Sequence, residues 1–393
     1  MARKVVLAGA CRTAIGNMGG SLSTVPAAEL GAAVISEAVK RTGISPEMID
    51  HVFMGCVLQA GLGQNVARQA AIKAGLPVEV PAVTVNVVCG SGLYSVHMAA
   101  QMILSGEADI VVAGGMENMS MAPYALMQAR FGYRMNHAPM KDTMVTDALW
   151  DAFYDYHMGI TAENIVEQWG LTREELDQFA ADSQRKACKA QMAGAFDKEI
   201  VPIKVKKKND IILFDEDEAL RPGTTADSIA RLRPSFKEDG KVTAANSSSI
   251  NDGAAAIVLL SEEKANELGV TPMGEWLAGA LAGVEPSIMG IGPVASTRQV
   301  MKKAGLTISD FDIIEANEAF ASQSIAVRKE LGINPERLNP SGGAIALGHP
   351  VGASGCRILV TLLYELEAAN ATMGLATLCV GGGMGCSAVV KRI

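Results

Sequence analysis

The chain has 393 residues, 49% of them hydrophobic and 19% charged, which supplies the apolar material for large cores and the length for two or more domains. A net charge of -8 gives none of the clustered cationic surface that nucleic acid or an anionic membrane selects, and no apolar run approaches the roughly 20 residues of a membrane span. Seven dispersed cysteines form no CxxC pair, no metal-ligand spacing and no disulfide framework, and the start MARKVVLAGACRT carries no secretory pattern, so a soluble cytoplasmic protein without a metal is expected.

VVLAGACRT reads as a buried strand, and AAELGAAVISEAVKRTG as an amphipathic helix closed by glycine. AVTVNVV is a strand leading through CGSG into a helix with Leu93, Val96, Ala99, Ala100 and Ile103 on one face, and ADIVVAGG is a short buried strand. From about residue 120 to 250 the chain is richer in charge and aromatics, as in DALWDAFYDYHMG, TREELDQFAADSQRKA and KVKKKNDIILFDEDE. The lysine run KVKKK is expected to be a solvated hairpin face. The apolar run GAAAIVLLS resumes at Gly253, and the helix SGCRILVTLLYELEAA and the strand ATLCV follow near the end.

An internal repeat organises these elements. KRTGISPEMIDHVFMGCVLQAG begins at Lys40 and KKAGLTISDFDIIEANEAFASQ begins 262 residues later at Lys302, so that Gly43 pairs with Gly305 and Asp50 with Asp312. Gly92 pairs with Gly355 at 263, and the Met116 of AGGM with the Met384 of GGGM at 268. The expected division is 1–119 plus 250–270 as one unit, 271–393 as its counterpart, and 120–249 as an inserted loop domain suited to substrate recognition. Alternating strands and helices make the fold class α/β.

Cys89 precedes Gly90, Ser91 and Gly92, which places its sulfur at a helix N-terminus, where orphan N–H groups and the helix dipole favour thiolate. Taken alone, the same segment equally describes a buried cysteine ending a strand. His349 sits in GGAIALGHPVGASG, the second unit's counterpart of the Cys89 turn, so two half-sites related by a pseudo-twofold can bring an imidazole to a thiol; it also reads as a loop histidine capping a turn. His51, His97 and His137 read as packing or surface residues. Cys379 ends a strand before Gly381, Gly382 and Gly383, which reads either as core or as an acid/base thiol beside exposed backbone N–H groups. Asn317, in EANEAF, reads as a site residue or as a helix N-cap.

Together these four ordered motifs resemble those of the thiolase family, and the resemblance runs from VVLAGACRTAIG to VGGGMGCSAVVKRI. It implies a thiolase-like fold with a five-layered αβαβα core built from the two repeats, an inserted loop domain, and a homotetramer assembled as a dimer of dimers. The implied activity is the reversible Claisen condensation of two acetyl-CoA to acetoacetyl-CoA plus CoA, with coenzyme A thioesters as substrates and no permanently bound cofactor. The implied roles are Cys89 as acylated nucleophile, His349 as its activator, Cys379 as acid/base, Asn317 as holder of an oxyanion-site water, and the N–H groups of Cys89 and Gly381 as oxyanion donors. CoA contacts carry over to His157 and Met158 in YHMG, Arg221 in RPGTT, and Ala244 and Ser248 in VTAANSSSINDG. Phe236, Met289, Ala319 and Phe320 carry over as apolar lining. YHMG with SIMGIGP resembles the short-chain biosynthetic branch, with a degradative 3-ketoacyl-CoA thiolase as the nearest alternative and a condensing enzyme or a non-catalytic relative further off. Ala245 and Ser249 stand where the family has glycine, and Ser341 where asparagine is common.

Overall fold

The structure is a computed structural model that describes residues 3–207 and 210–393. In chain order the first unit contains β1 (Val5–Thr13), α1 (Ala27–Thr42), β2 (His51–Gly55), α2 (Val66–Lys73), β3 (Ala82–Val85), α3 (Ser91–Leu104) and β4 (Ile110–Asn118). A long excursion bearing α4 (Met158–Gln168) and α5 (Arg173–Met192) precedes β5 (Asn251–Ser261), which completes it. The second unit contains β6 (Gly274–Gly283), α6 (Gly292–Ala304), β7 (Ile313–Ala316), α7 (Ala321–Leu331), α8 (Val351–Ala368), β8 (Met373–Val380) and β9 (Met384–Lys391).

The strands lie in the order β3-β2-β4-β5-β1-β6-β9-β8-β7. The two units meet where β1 and β6 pair antiparallel, Val6 opposite Glu275. Outward from that junction β5, β4 and β2 on one side answer β9, β8 and β7 on the other, with the same alternation of antiparallel and parallel neighbours. This is the pseudo-twofold that the repeat predicts. α3 and α8 pack on each other between the half-sheets, α1 and α2 cover the outer face of the first, and α6 with α7 that of the second, giving five layers. Three apolar cores result, one under each outer helix layer and one around the central pair α3 and α8, as expected for strands buried on both faces.

The repeated residues do equivalent work in each unit. Gly43 (φ 72) and Gly305 (φ 69) are the left-handed caps of α1 and α6. The Asp50 carboxylate accepts the N–H groups of Asp109 and Ile110 at 2.7 and 2.9 Å, and that of Asp312 accepts those of Thr372 and Met373, both at 2.9 Å. Gly92 and Gly355 let α3 and α8 touch backbone to backbone: a Cβ on Gly92 would lie 2.8 Å from Cys356 N, and one on Gly355 2.5 Å from Leu93 N. One pairing is corrected. The aspartate contacts phase β4 with β8 at 263, so Met116 corresponds to Cys379, whereas Met384 opens β9, the counterpart of β5. The AGGM/GGGM match is local and comes from glycine-rich strand ends.

The excursion leaves and re-enters the sheet on one rung, Asn118 opposite Asp252. It is bolted to β1 by the fully buried Arg12, which donates to Glu199 at 2.5 Å and to both oxygens of Asp217 at 2.7 and 2.9 Å. Lys204, Lys206 and Lys207 are exposed on a ribbon of Ile203–Lys207 with Asp210–Phe214, as expected; Lys208 of the same run lies outside the described residues. Among the described residues no helix is long and apolar enough to cross a membrane.

Candidate active site

The chain leaves β3 through a tight turn that carries Cys89. Asn86 Oδ1 accepts Val88 N–H at 3.0 Å, while Ser91 Oγ accepts Val87 N–H at 2.9 Å and donates to Val88 O at 2.6 Å. These bonds hold Val88 at φ 42, a costly conformation for a β-branched residue. The turn sets Cys89 just ahead of α3, with Gly90 as N-cap. A Cβ on Gly90 would lie 2.9 Å from Val380 Cγ2, so glycine here lets the end of β8 come alongside. The thiol departs from the ionisation expected of a helix N-terminus: burial pushes Cys89 up to about 11, and the N–H groups of Gly381 and of Cys89 itself pull only partly against it. At neutral pH Cys89 therefore rests as a thiol, which ionises only with the help of a base.

His349 follows Gly348 (φ 107) and precedes α8. Its N–H donates to Asn251 Oδ1 at 2.8 Å, and its ring Nδ1 lies 2.6 Å from Ser354 Oγ. The Ser354 hydroxyl donates to Pro350 O at 2.9 Å, which leaves its oxygen to accept Nδ1–H; this pattern assigns the lone pair to Nε2, which is buried and unpartnered. Burial, with Arg357 adding to it, holds the imidazole down at about 4, so it is neutral. Asn317 continues the β7–β8 pairing through its N–H to Thr377 O at 2.9 Å, and its Nδ2 lies 3.5 Å from His349 Nδ1. It does not cap a helix, because α7 begins only at Ala321 with Phe320 before it. Its Oδ1 is buried without a partner. Cys379 is fully buried on β8, and its thiol is raised first by burial and then by the neighbouring Cys89.

A cavity of about 530 Å³ is lined by Cys89, His349, Cys379 and Gly381 together with His157, Met158, Arg221, Phe236, Ala244, Ser248, Met289, Ala319 and Phe320. Asn317 is not on the lining; it sits against the His349 ring. His157 caps α4 by accepting Gly159 N–H at 3.0 Å and stacks on Phe236 at 4.7 Å, which in turn meets Phe320 edge-on at 6.2 Å. Arg221 is exposed.

The sequence reading did not single out Ser354 or Asn251, which hold His349, nor Met18, Met119, Leu149, Ile250 and Val351 on the cavity wall. Ser354 was findable, being in GASG five residues past the histidine. Ala245 and Ser249 take no positive φ, so the loop accommodates both without strain. Ser249 Oγ moreover donates to Asn251 Oδ1 at 2.8 Å, the atom that accepts the His349 N–H. Ser341 N–H donates to Glu365 at 3.1 Å.

Residues 5–263 match the profile of the thiolase N-terminal domain, and residues 270–392 that of the thiolase C-terminal domain. The chain belongs to the thiolase family. This thiolase is 57% identical over 389 residues to an acetyl-CoA acetyltransferase of Pseudomonas aeruginosa, covering 99% of both chains. It is 56% identical over 390 residues to one of Chromobacterium violaceum, covering 99% of this chain and all of the other. Among solved structures it superposes on the acetyl-CoA acetyltransferase of Bacillus anthracis with a TM-score of 0.98 at 43% identity, covering 100% of this chain and 99% of that one. The enzyme from Syntrophomonas wolfei gives 0.98 at 40% identity over the whole of both chains.

Proposed function

We propose that this thiolase is an acetyl-CoA C-acetyltransferase working by a ping-pong route through acetyl-Cys89. The observation that carries the reading is the single cavity that gathers two thiols, Cys89 and Cys379, around the neutral His349, whose buried Nε2 is unpartnered, and Gly381. In acylation, His349 Nε2 takes the Cys89 proton and the thiolate attacks the thioester carbonyl. The oxyanion accepts from the N–H groups of Cys89 and Gly381. Collapse expels CoA, protonated by Cys379, and leaves acetyl-Cys89, a Cys379 thiolate and a His349 imidazolium.

A second acetyl-CoA then loses an α-proton to Cys379, while the enolate oxygen accepts from His349 Nε2–H and from a water on Asn317. The new C–C bond forms at the acetyl carbonyl, Cys89 departs and recovers its proton from His349, and all three groups return to their starting states. The order follows from electrostatics. A Cys89 thiolate opposes ionisation of Cys379, and acetylation removes that charge before the second thiol must act as base.

His157, Met158, Arg221, Phe236, Ala244, Ser248, Met289, Ala319 and Phe320 receive the CoA thioester along the cavity. The excursion 120–249 serves as the substrate-binding and oligomerisation domain between the 1–119 plus 250–270 and 271–393 units. Exposed Leu126, Met127, Phe131 and Met135 on it support a subunit interface there, and the family resemblance is the ground for a homotetramer in the cytoplasm.

Cleavage of acetoacetyl-CoA by free CoA, followed by loss of enolate absorbance, tests the reading alongside Cys89→Ser and 3-ketohexanoyl-CoA. Fast cleavage of the short substrate alone, abolished by the substitution, supports it. Equal cleavage of the longer one favours the degradative alternative, and no cleavage of either by folded protein sinks the mechanism.

A further inference from the structure

The 263-residue phase assigns Gly352, in the first turn of α8, to the place that Cys89 holds ahead of α3. No side chain can stand at that second place: a Cβ on Gly352 would lie 2.6 Å from Glu117 Oε2 and 2.9 Å from Met116 O. The carboxylate of Glu117, on β4, fills it. Glu117 is fully buried and has no cationic partner among the described residues. Its oxygens instead accept the N–H groups of Gly352 at 2.9 Å, Val57 at 3.0 Å and Leu58 at 3.1 Å, with the Cys56 thiol donating at 3.7 Å.

An uncompensated buried carboxylate is expensive, and its persistence on three backbone donors asks for a reason. The segments it joins are the two walls beside the nucleophile. Val57, Leu58 and Val351 form one apolar cluster with Met119, Met144 and Ala148, and Cys89 packs against that cluster.

We infer that Glu117 is a positioning residue of the thiolase site: it clamps the 57–58 turn to the first turn of α8 and fixes one negative charge behind Cys89. The inference rests on Cys89 being the nucleophile. The charge opposes loss of the Cys89 proton to solvent, so that the thiolate forms only when His349 takes the proton against a bound thioester. In keeping with this, Glu117 adds to the upward push on the Cys89 thiol. Glu117 itself is brought by burial to about 7, its N–H donors pulling the other way, so it is ionised over the range where Cys89 titrates. The other ionisable groups packed around the pair are Cys56 after β2, Cys379 on β8 and His349 before α8. Arg357, further along α8, is committed to Glu315 at 3.3 Å.

The test is the pH profile of iodoacetamide alkylation in the full chain without substrate, with the modified peptide identified by mass. Glu117→Gln removes the charge, and Glu117→Asp keeps it while shortening the clamp. The expected result is a lower midpoint in the Gln variant, seen as alkylation at pH 8 about threefold faster or more, and an unshifted midpoint in the Asp variant. A clamp without an electrostatic part changes only the plateau rate at high pH, so an unmoved midpoint in Glu117→Gln overturns the inference, as does an equal fall in both variants. Should Glu117→Gln show no cooperative melt, the other two proteins decide. A shared midpoint above the ordinary thiol value of about 8.5 supports the inference, and an unsubstituted midpoint at or below that value, or a lowered one in Glu117→Asp, refutes it. A label found elsewhere than on Cys89 identifies failure of the nucleophile assignment instead.

Discussion

Replacing Gly355 by alanine addresses fold and chemistry with one methyl group. The new Cβ would stand 2.5 Å from Leu93 N, 2.8 Å from Leu93 Cβ and 3.2 Å from Leu93 Cα, and ordinary contact begins at 3.4 Å. The nearest obstacle is backbone, so no rotamer relieves it, and α3 and α8 must separate by close to 0.9 Å. Overpacking of this kind destabilises by about 1–3 kcal/mol. The larger effect is on the reaction, because Cys89 leads into α3 and His349 leads into α8. A misplacement of about 1 Å between reacting groups lowers kcat/KM on the order of 100-fold. Thiolysis of acetoacetyl-CoA, with thermal melts on the same preparations, reads both quantities. Gly43→Ala is the matched control: its φ of 72 makes alanine strained, but nothing lies within 4 Å of the added carbon. It should lower Tm by an amount corresponding to about 1 kcal/mol and leave kcat/KM unchanged. Wild-type kcat/KM in Gly355→Ala, or equal losses in both variants, would refute the argument that the α3–α8 contact sets the distance between thiol and imidazole.

Ser354→Ala strips His349 Nδ1 of its 2.6 Å partner and should lower kcat/KM by about 1–2 kcal/mol, roughly 5- to 30-fold; a loss under about twofold in steady-state thiolysis counts against the tautomer assignment. Because the folded state holds His349 at about 4, below the ordinary histidine value, the unfolded chain binds more protons between those values, so this contribution to stability is complete above about 6.5 and lost as pH falls through about 4. Denaturant midpoints measured from pH 7 to 4 should fall less for His349→Ala, and kcat/KM should show no inflection near 6.5. Arg12→Leu leaves Glu199 and Asp217 buried without their cation and should cost about 3–5 kcal/mol in chemical denaturation, a loss below about 1 kcal/mol contradicting the role given to this anchor.

The repeat was legible because the residues that carry it satisfy local demands: a left-handed cap at Gly43 and Gly305, a carboxylate for two N–H groups at Asp50 and Asp312, and a backbone crossing at Gly92 and Gly355. Each such demand narrows the residue to very few types, so it leaves a mark in the chain. The Met116–Met384 pairing failed because methionine after glycine answers no comparable demand. The thiols and His349 were legible through the glycines that crowd them, whereas the ionisation of Cys89 was not, since helix polarity is local and burial is a property of the whole cavity. Asn251 acts on His349 across 98 residues and Glu117 on Val57 across 60, separations in sequence that no spacing rule spans.

The excursion departs at Asn118 and returns at Asp252, on facing residues of neighbouring strands, so its two ends are fixed at one point of the scaffold. Between them the segment is tied to the sheet once more, where Ile200 and Val201 pair with Arg12 and Thr13 of β1, so only the stretches on either side of that anchor can change length without shifting the register of the strands. Changes of length in such a chain are therefore confined to those stretches of one segment. The pair of thiols and the imidazole are carried by the five layers beneath, where a single added methyl group is disruptive.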